Sequence, residues 1–89
     1  MRLDKWLKVA RVIKRRTVAH DAAEVGRVVL NGKAAKPSAE VHVGDEIVVD
    51  IGGRRTAVRV LLVPERAPGR SDVLYETLWT RPKDGGDVP

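Results

Sequence analysis

The chain has 89 residues, no cysteine and a net charge of +5, from 17 basic and 12 acidic residues. A chain of this length forms one small core without room for a deep catalytic cleft, and the lack of cysteine excludes disulfides and thiolate metal sites. No apolar run is long enough for a signal peptide or a spanning helix, so we expect a cytoplasmic protein with no membrane partner.

The positive charge is concentrated in the first part of the chain. Residues 1–36 contain ten basic and three acidic residues, a balance of +7, whereas residues 37–89 contain seven basic and nine acidic residues, a balance of −2. Such a one-sided field suggests a polyanionic partner, although a solvated basic face without a partner gives the same pattern.

An apolar stripe at helical spacing predicts a first helix, formed by Leu3, Trp6, Leu7, Ala10 and Ile13. Trp6 belongs to this stripe, so we assign it to the core rather than to base stacking. The opposite face is mostly cationic and contains Asp4, Lys5, Lys8 and Arg11.

A second short helix is predicted after the triplet Lys14-Arg15-Arg16, with Thr17 as its N-cap and Gly26 as its stop. Its apolar side is expected to comprise Val18, Ala22 and Val25. The triplet then lies in the turn before a helix, where free backbone N–H groups already attract anions. Because three like charges repel one another unless an anion is present, we interpret this turn as a phosphate-contacting site. A solvated polar turn is the alternative.

From residue 28 onward the periodicity is that of strands. Asn31-Gly32 is a two-residue hairpin signal between a strand at 28–30 and its return at 33–35. Val41 and Val43 are expected to point into the core. Further strands are predicted over 46–51 and 54–63, with a last one around 74–79 after a proline-containing loop. These elements predict an α+β fold, in which two short helices pack on a small, mostly antiparallel sheet.

The sequence contains no catalytic constellation. His20 and His42 do not have the spacing of metal ligands, and no serine or threonine lies in a nucleophile motif. Asp45 and Glu46 are adjacent, so their side chains diverge. We therefore expect no catalytic residue, no metal, no cofactor and no enzymatic activity.

Two stretches, "RLDKWLKVARVIKRRTVA" and "GRVVLNGKAAKPSAEVHVGDEI", resemble the alpha-L RNA-binding domain named after small-subunit ribosomal protein S-four. The resemblance covers about residues 2–48. It depends on five motifs in order: Arg2-Leu3-Asp4, Arg16-Thr17, Gly26-Arg27-Val28, Val29-Leu30-Asn31-Gly32 and Val43-Gly44-Asp45-Glu46-Ile47. It implies an alpha-L domain over residues 1–63. The residues after it predict a β-rich C-terminal extension over 64–80 and a disordered tail over 81–89.

The short length makes the chain similar to the stand-alone members of this family, the RqcP and heat-shock protein fifteen groups, with RqcP the nearer. This resemblance implies binding to large ribosomal subunits that carry peptidyl-tRNA after a stall, through rRNA and tRNA. It further implies support of alanine tailing by an RqcH-type factor. The ending "RPKDGGDVP" departs from the longer basic tail of the heat-shock group.

The residues expected to contact RNA are Arg2, Lys5, Lys8, Lys14, Arg15, Arg16, Thr17, Arg27 and Lys33. Asp4 is expected to orient Arg2 or cap the helix rather than to contact RNA. One alternative is a general binder of structured RNA outside the ribosome. Another is a protein-interaction or homodimerisation module with an apolar patch of Val12, Tyr75 and Trp79. A DNA binder is disfavoured because no helix has the set of side chains that reads base edges.

Overall fold

The computed structural model describes residues 1–69 and 71–82. Two helices are followed by five strands: α1 (Leu3–Val9), α2 (Arg16–Glu24), β1 (Val28–Leu30), β2 (Lys33–Ala34), β3 (Glu46–Ile51), β4 (Arg54–Val60) and β5 (Tyr75–Pro82). The strands form one antiparallel sheet in the order β2-β1-β3-β4-β5. The predicted α+β architecture is confirmed.

The core lies between the two helices and one face of the sheet. Leu3, Trp6 and Leu7 of α1 are fully buried and belong to one apolar cluster with Ile47 and Val58 of the sheet. The indole Nε1 of Trp6 donates a hydrogen bond to the backbone carbonyl of residue 62 at 3.0 Å, which satisfies the only polar atom of this side chain. The assignment of Trp6 to the core is confirmed.

α1 is shorter than its apolar stripe suggests. It ends at Val9, and Arg11 adopts a left-handed φ of 62°, which ends the helix. Ile13 is nevertheless buried in the same core cluster, and its N–H donates to the carbonyl of Leu7 at 3.1 Å.

The first turn of α1 is tied to the segment 37–41. The backbone N–H groups of Leu3 and Asp4 donate to the carbonyls of Ala39 and Pro37 at 2.8 and 3.2 Å. The amino group of Met1 also contacts Glu40 Oε2 at 2.6 Å. Donors that are normally free at a helix N-terminus are therefore used within the chain.

Two predictions for α2 are wrong. The helix begins at Arg16, after an extended Arg15 that makes no side-chain capping bond, so Thr17 lies inside the first turn and is not the N-cap. Ile13 before the turn and Ala19 of the helix are both buried, so only residues 14–18 connect these two core positions.

The predicted apolar side of α2 is also incorrect in part. Val18 and Val25 are 40% and 68% exposed, whereas the small residues Ala19, Ala22 and Ala23 are buried. Since α2 contacts α1 directly, alanine side chains allow the two helices to lie close together.

The Asn31-Gly32 hairpin is confirmed, with φ values of 50° and 85°. Asn31 also joins the next turn, because its Oδ1 accepts the Glu46 N–H at 2.9 Å and its Nδ2 donates to Asp45 at 3.0 Å. Val41 is buried as expected. The inward orientation of Val43 is wrong, because a turn closed by the bond from His42 N–H to Asp45 Oδ2 at 2.8 Å leaves Val43 64% exposed.

β4 ends at Val60 rather than at residue 63, because the next two N–H groups, of Leu61 and Leu62, both donate to the carbonyl of Leu74. β5 runs to Pro82, so Arg81 and Pro82 are strand residues at positions where we expected a disordered tail. The rest of the expected tail, residues 83–89, lies outside the described residues.

Candidate nucleic-acid interface

Asp4 is a buried carboxylate, only 2% exposed, that binds two arginines. Arg2 approaches it as a fork, with Nε 3.2 Å from Oδ1 and Nη2 3.3 Å from Oδ2. Arg16 donates from Nη2 to Oδ1 at 3.4 Å, and the Lys5 N–H donates to the same oxygen at 2.8 Å. The expectation that Asp4 orients Arg2 is confirmed, whereas its placement on the outer cationic face is wrong.

The electrostatics of Asp4 favour its charged form. Burial by itself raises the pKa of the Asp4 carboxyl, but the hydrogen bond from Arg2, the charge of Arg16 and the Lys5 N–H together hold that pKa below its ordinary value. Asp4 is therefore an anion at neutral pH, fixed between two guanidinium groups.

The guanidinium groups of Arg2 and Arg16 bind Asp4, yet both side chains are also exposed to solvent. Their side chains are 49% and 47% exposed, whereas that of Asp4 is 3% exposed. A guanidinium has five N–H donors, and the hydrogen bonds to Asp4 use only one or two of them. Asp4 therefore holds both arginines in place and leaves donors for an external anion such as phosphate.

Further exposed cations lie on the first helix and in the turn between the two helices. We call this set the basic helical surface; it comprises Arg2, Lys5, Lys8, Arg11, Lys14, Arg15 and Arg16, all exposed. Arg2, Lys5 and Arg16 line one depression of about 700 Å³ with residues 63–65. Lys8, Arg11 and Lys14 line a second, of about 610 Å³, with residues 67–68.

The loop after β4 forms a wall of this surface that the sequence did not reveal. Residues 63–65 and 67–68 border the two depressions, and the hydrogen bond from Trp6 to the carbonyl of Leu62 ties the start of this loop to α1. Glu65 is the single acidic side chain that lines either depression among the described residues.

Arg11 is a surface residue that our prediction omitted. Its left-handed backbone places it with Lys8 and Lys14 around the second depression. The available signal was its position between the cationic face of the first helix and the basic triplet. Periodicity could not show that the helix ends before this residue and that Arg11 has a left-handed backbone.

Three predicted residues lie at other positions. Thr17 is exposed in the first turn of α2, and Lys33 lies on the edge strand β2. Arg27 lines a depression with Val48 and Trp79 on the sheet face opposite the helices. Arg27 and Lys33 therefore lie apart from the basic helical surface, whereas Thr17 borders it next to Arg16.

The proposed apolar patch does not exist as one surface. Val12 and Tyr75 line a cleft on the helix side of the sheet, and the Tyr75 ring makes an edge contact with Trp6 at 6.4 Å between centroids. Trp79 lies on the opposite face, where the Arg81 guanidinium stands 4.6 Å from the centre of its ring. Tyr75 and Trp79 would share one face of a regular strand, but the register shift of β5 opposite Ala57 and Val58 places them on opposite faces of the sheet.

Within residues 1–69 and 71–82, no three histidine or acidic side chains converge as a metal site. In that same part of the chain, no helix is long and apolar enough to cross a membrane.

Exposed cations clustered on one side of a small domain, two of them fixed on a buried carboxylate, are the electrostatic feature typical of nucleic-acid-binding modules. The model of the S4 domain family matches residues 1–47, more than half of the chain. The chain belongs to this family, which confirms the resemblance to the alpha-L domain of ribosomal protein S-four.

Two relatives and one solved structure show how far the similarity extends. The RQC P-site tRNA stabilizing factor of Listeria innocua is 49% identical over 67 residues, covering 75% of this chain and 73% of the relative. The protein of the same name from Streptococcus pneumoniae is 43% identical over 82 residues, covering 86% of this chain and 93% of the relative. The trimeric structure of Vibrio cholerae Heat Shock Protein 15 superposes with a TM-score of 0.77 at 34% identity, covering 86% of this chain and 80% of that protein's chain. The similarity therefore extends beyond the S4 domain into the C-terminal strands.

Proposed function

We propose that this protein is a non-catalytic RNA-binding factor of ribosome-associated quality control. It binds large ribosomal subunits that carry peptidyl-tRNA and contacts both rRNA and tRNA. The names of the relatives from Listeria innocua and Streptococcus pneumoniae, RQC P-site tRNA stabilizing factor, support this proposal.

The observation that carries the proposal is the pairing of Arg2 and Arg16 on the buried carboxylate of Asp4. Structured RNA is recognised mainly through phosphates, 2′-hydroxyl groups and shape, so a rigid set of donors suits it better than flexible cations. A guanidinium that is already oriented loses less conformational freedom when it binds phosphate. Arg2 and Arg16 are therefore the strongest candidates for phosphate contacts.

The rest of the basic helical surface extends this contact. Lys5, Lys8, Lys14 and Arg15 supply further phosphate contacts from the two helices and their turn, and Arg11 joins them in the second depression. Thr17 contributes a hydroxyl beside Arg16. Arg27 and Lys33 act as outer contacts, because they lie apart from this surface.

The protein acts by holding its RNA partners in place rather than by catalysing a reaction. Simultaneous contacts with rRNA and peptidyl-tRNA hold the tRNA in place on the stalled subunit while an RqcH-type factor extends the nascent chain with alanine. No bond in either RNA is broken, since the described residues present cations and hydrogen-bond donors rather than a nucleophile with its base.

Sedimentation of the tagged protein through a sucrose gradient tests this function. Wild-type protein should migrate with large subunits that contain peptidyl-tRNA, and the Arg15→Ala/Arg16→Ala variant should remain at the top. Arg55→Ala/Arg59→Ala is the matched control, since it removes the same charge from β4, outside the basic helical surface. Wild-type protein that stays at the top at low salt would contradict a ribosomal role.

Salt separates this proposal from a protein-interaction module. Affinity for RNA should fall by roughly one log unit per log unit of salt for each phosphate neutralised, whereas an apolar interface responds little. Binding that persists unchanged at high salt would therefore point to a protein partner.

A further inference from the structure

A cleft adjoins the basic helical surface on the helix side of the sheet. It has a volume of about 380 Å³ and lies between the turn before α2 and the parts of β3, β4 and β5 that the helices leave uncovered. Val12, Val18 and Ile51 supply apolar lining, and each is at least partly exposed. This volume lies within the range of small-ligand sites.

The rim of the cleft is cationic. Lys14 and Arg15 border it from the turn, and Arg54 borders it from the start of β4. None of the three forms an ion pair with a residue in the described ranges, and no acidic side chain of these ranges lines the cleft. Three positive charges with no ion-pair partner among the described residues therefore border an apolar space.

The floor of the cleft also offers polar groups. Thr56 and Thr77 lie on the neighbouring strands β4 and β5, and their hydroxyls can each donate and accept a hydrogen bond. Tyr75, which makes an edge contact with Trp6, also lines the cleft. A ligand that fits must therefore combine an apolar body, a polar edge and a negative charge.

We propose that the cleft binds one unstacked nucleotide of the RNA. The base lies against Val12, Val18 and Ile51, with its polar edge toward the two threonine hydroxyls. Its phosphate lies between Lys14, Arg15 and Arg54. This inference rests on the proposed function, because Lys14 and Arg15 belong both to the cleft and to the basic helical surface.

Charge favours a nucleotide over the other occupants of an apolar cleft. An apolar segment of a protein, or a second copy of this chain, would cover the valines and Ile51 but would leave three cations unpaired at the edge of the interface. An extruded nucleotide satisfies both requirements, and unpaired nucleotides are the elements that proteins recognise individually in RNA.

The experiment compares two RNA hairpins with the same stem, of which one has a single bulged uridine and the other is fully paired. Wild-type protein should bind the bulged hairpin about five- to tenfold more tightly, the scale of one well-placed base. Val18→Trp fills the cleft from an exposed position and should abolish this preference while leaving affinity for the paired hairpin unchanged. Val25→Trp is the matched control, since Val25 is also exposed but does not line the cleft.

Arg54→Gln provides a second variant that adds no bulk. It should reduce the preference for the bulged hairpin about threefold or more, because it removes one of the rim cations. Equal binding of both hairpins by the wild type would overturn the inference and leave the proposed function intact, whereas failure to bind either hairpin would overturn both. Val18→Trp protein that keeps the preference but loses self-association would show that a second copy occupies the cleft, and would also overturn the inference.

Discussion

Arg16 and Asp4 are separated by 12 positions in the chain, yet Nη2 of the arginine lies 3.4 Å from Oδ1 of the carboxylate. Arg2 reaches the same carboxylate, so one buried group fixes two arginines. This contact accounts for one residue of the basic triplet Lys14-Arg15-Arg16 at the start of α2. Asp4 compensates Arg16, whereas Lys14 and Arg15 have no ion pair with a described residue and remain available to an external anion.

The first prediction concerns Arg16→Ala. RNA affinity should fall by about 1–2 kcal/mol, the scale of a hydrogen bond to a charged group. The fold should persist, because Asp4 retains its bonds from Arg2 and from the Lys5 N–H. Fluorescence anisotropy with a labelled hairpin measures affinity, and circular dichroism measures folding.

Arg59→Ala is the control for the loss of one positive charge. Arg59 is already paired with Glu46 and Glu76, which raise the pKa of its guanidinium, so it offers little to an RNA. If both variants weakened RNA binding equally, net charge rather than the position of Arg16 would determine affinity.

The second prediction concerns the core. Leu7 is fully buried beside Trp6, so Leu7→Ala should lower the free energy of unfolding by about 2–5 kcal/mol through the cavity it leaves. Val25→Ala, at a 68% exposed position, should change that free energy by less than about 0.5 kcal/mol. Chemical denaturation of both variants checks this, and a small effect at Leu7 would contradict the described core.

The third prediction concerns the stability of the fold at acidic pH. Arg2, Arg16 and the Lys5 N–H lower the pKa of Asp4 in the folded protein despite its burial, whereas in the unfolded chain Asp4 titrates near its ordinary value of about 3.9. Between these two pKa values the unfolded state binds more protons. The free energy of unfolding contributed by Asp4 is therefore present above about pH 4 and is lost as the pH falls through the lower, folded-state value.

Urea unfolding of the wild type and of Asp4→Asn over this pH range tests whether the contribution of Asp4 to stability is lost as the pH falls. The wild type should lose stability more steeply on acidification than the variant. Glu40, whose pKa is lowered by its hydrogen bond and charge interaction with the amino terminus, contributes equally to both proteins. Parallel pH profiles would show that Asp4 is not stabilised by its arginines.

Local signals in the sequence identified much of the fold. Asn31-Gly32 has the chemistry of its turn within two residues, and the spacing of Leu3, Trp6 and Leu7 defines the buried side of α1. Local signals failed where a distant contact decides the outcome. β5 extends to Pro82 because it pairs along the whole of β4, although the sequence at 81–82 has no strand character.

Asp4 illustrates the same limit for the candidate site. In a helical projection it lies beside Lys5 and Lys8 and looks solvated, and a single acid among cations gives no sign of burial. Its burial depends on Arg16 and on the segment 37–41, which packs on the first turn of α1. The cationic character of the surface could therefore be predicted, but the anchoring of Arg2 and Arg16 could not.

The most direct test of this account is the RNA affinity of Asp4→Asn, at a temperature where circular dichroism shows the variant to be folded. Asp21→Asn is the control, since it removes an exposed carboxylate from the same basic half of the chain. Both substitutions make the protein one unit more positive. If Asp4 orients Arg2 and Arg16 for phosphate, Asp4→Asn should bind RNA more weakly than the wild type, while Asp21→Asn binds equally well or more tightly. An Asp4→Asn protein that binds as tightly as Asp21→Asn would contradict the account.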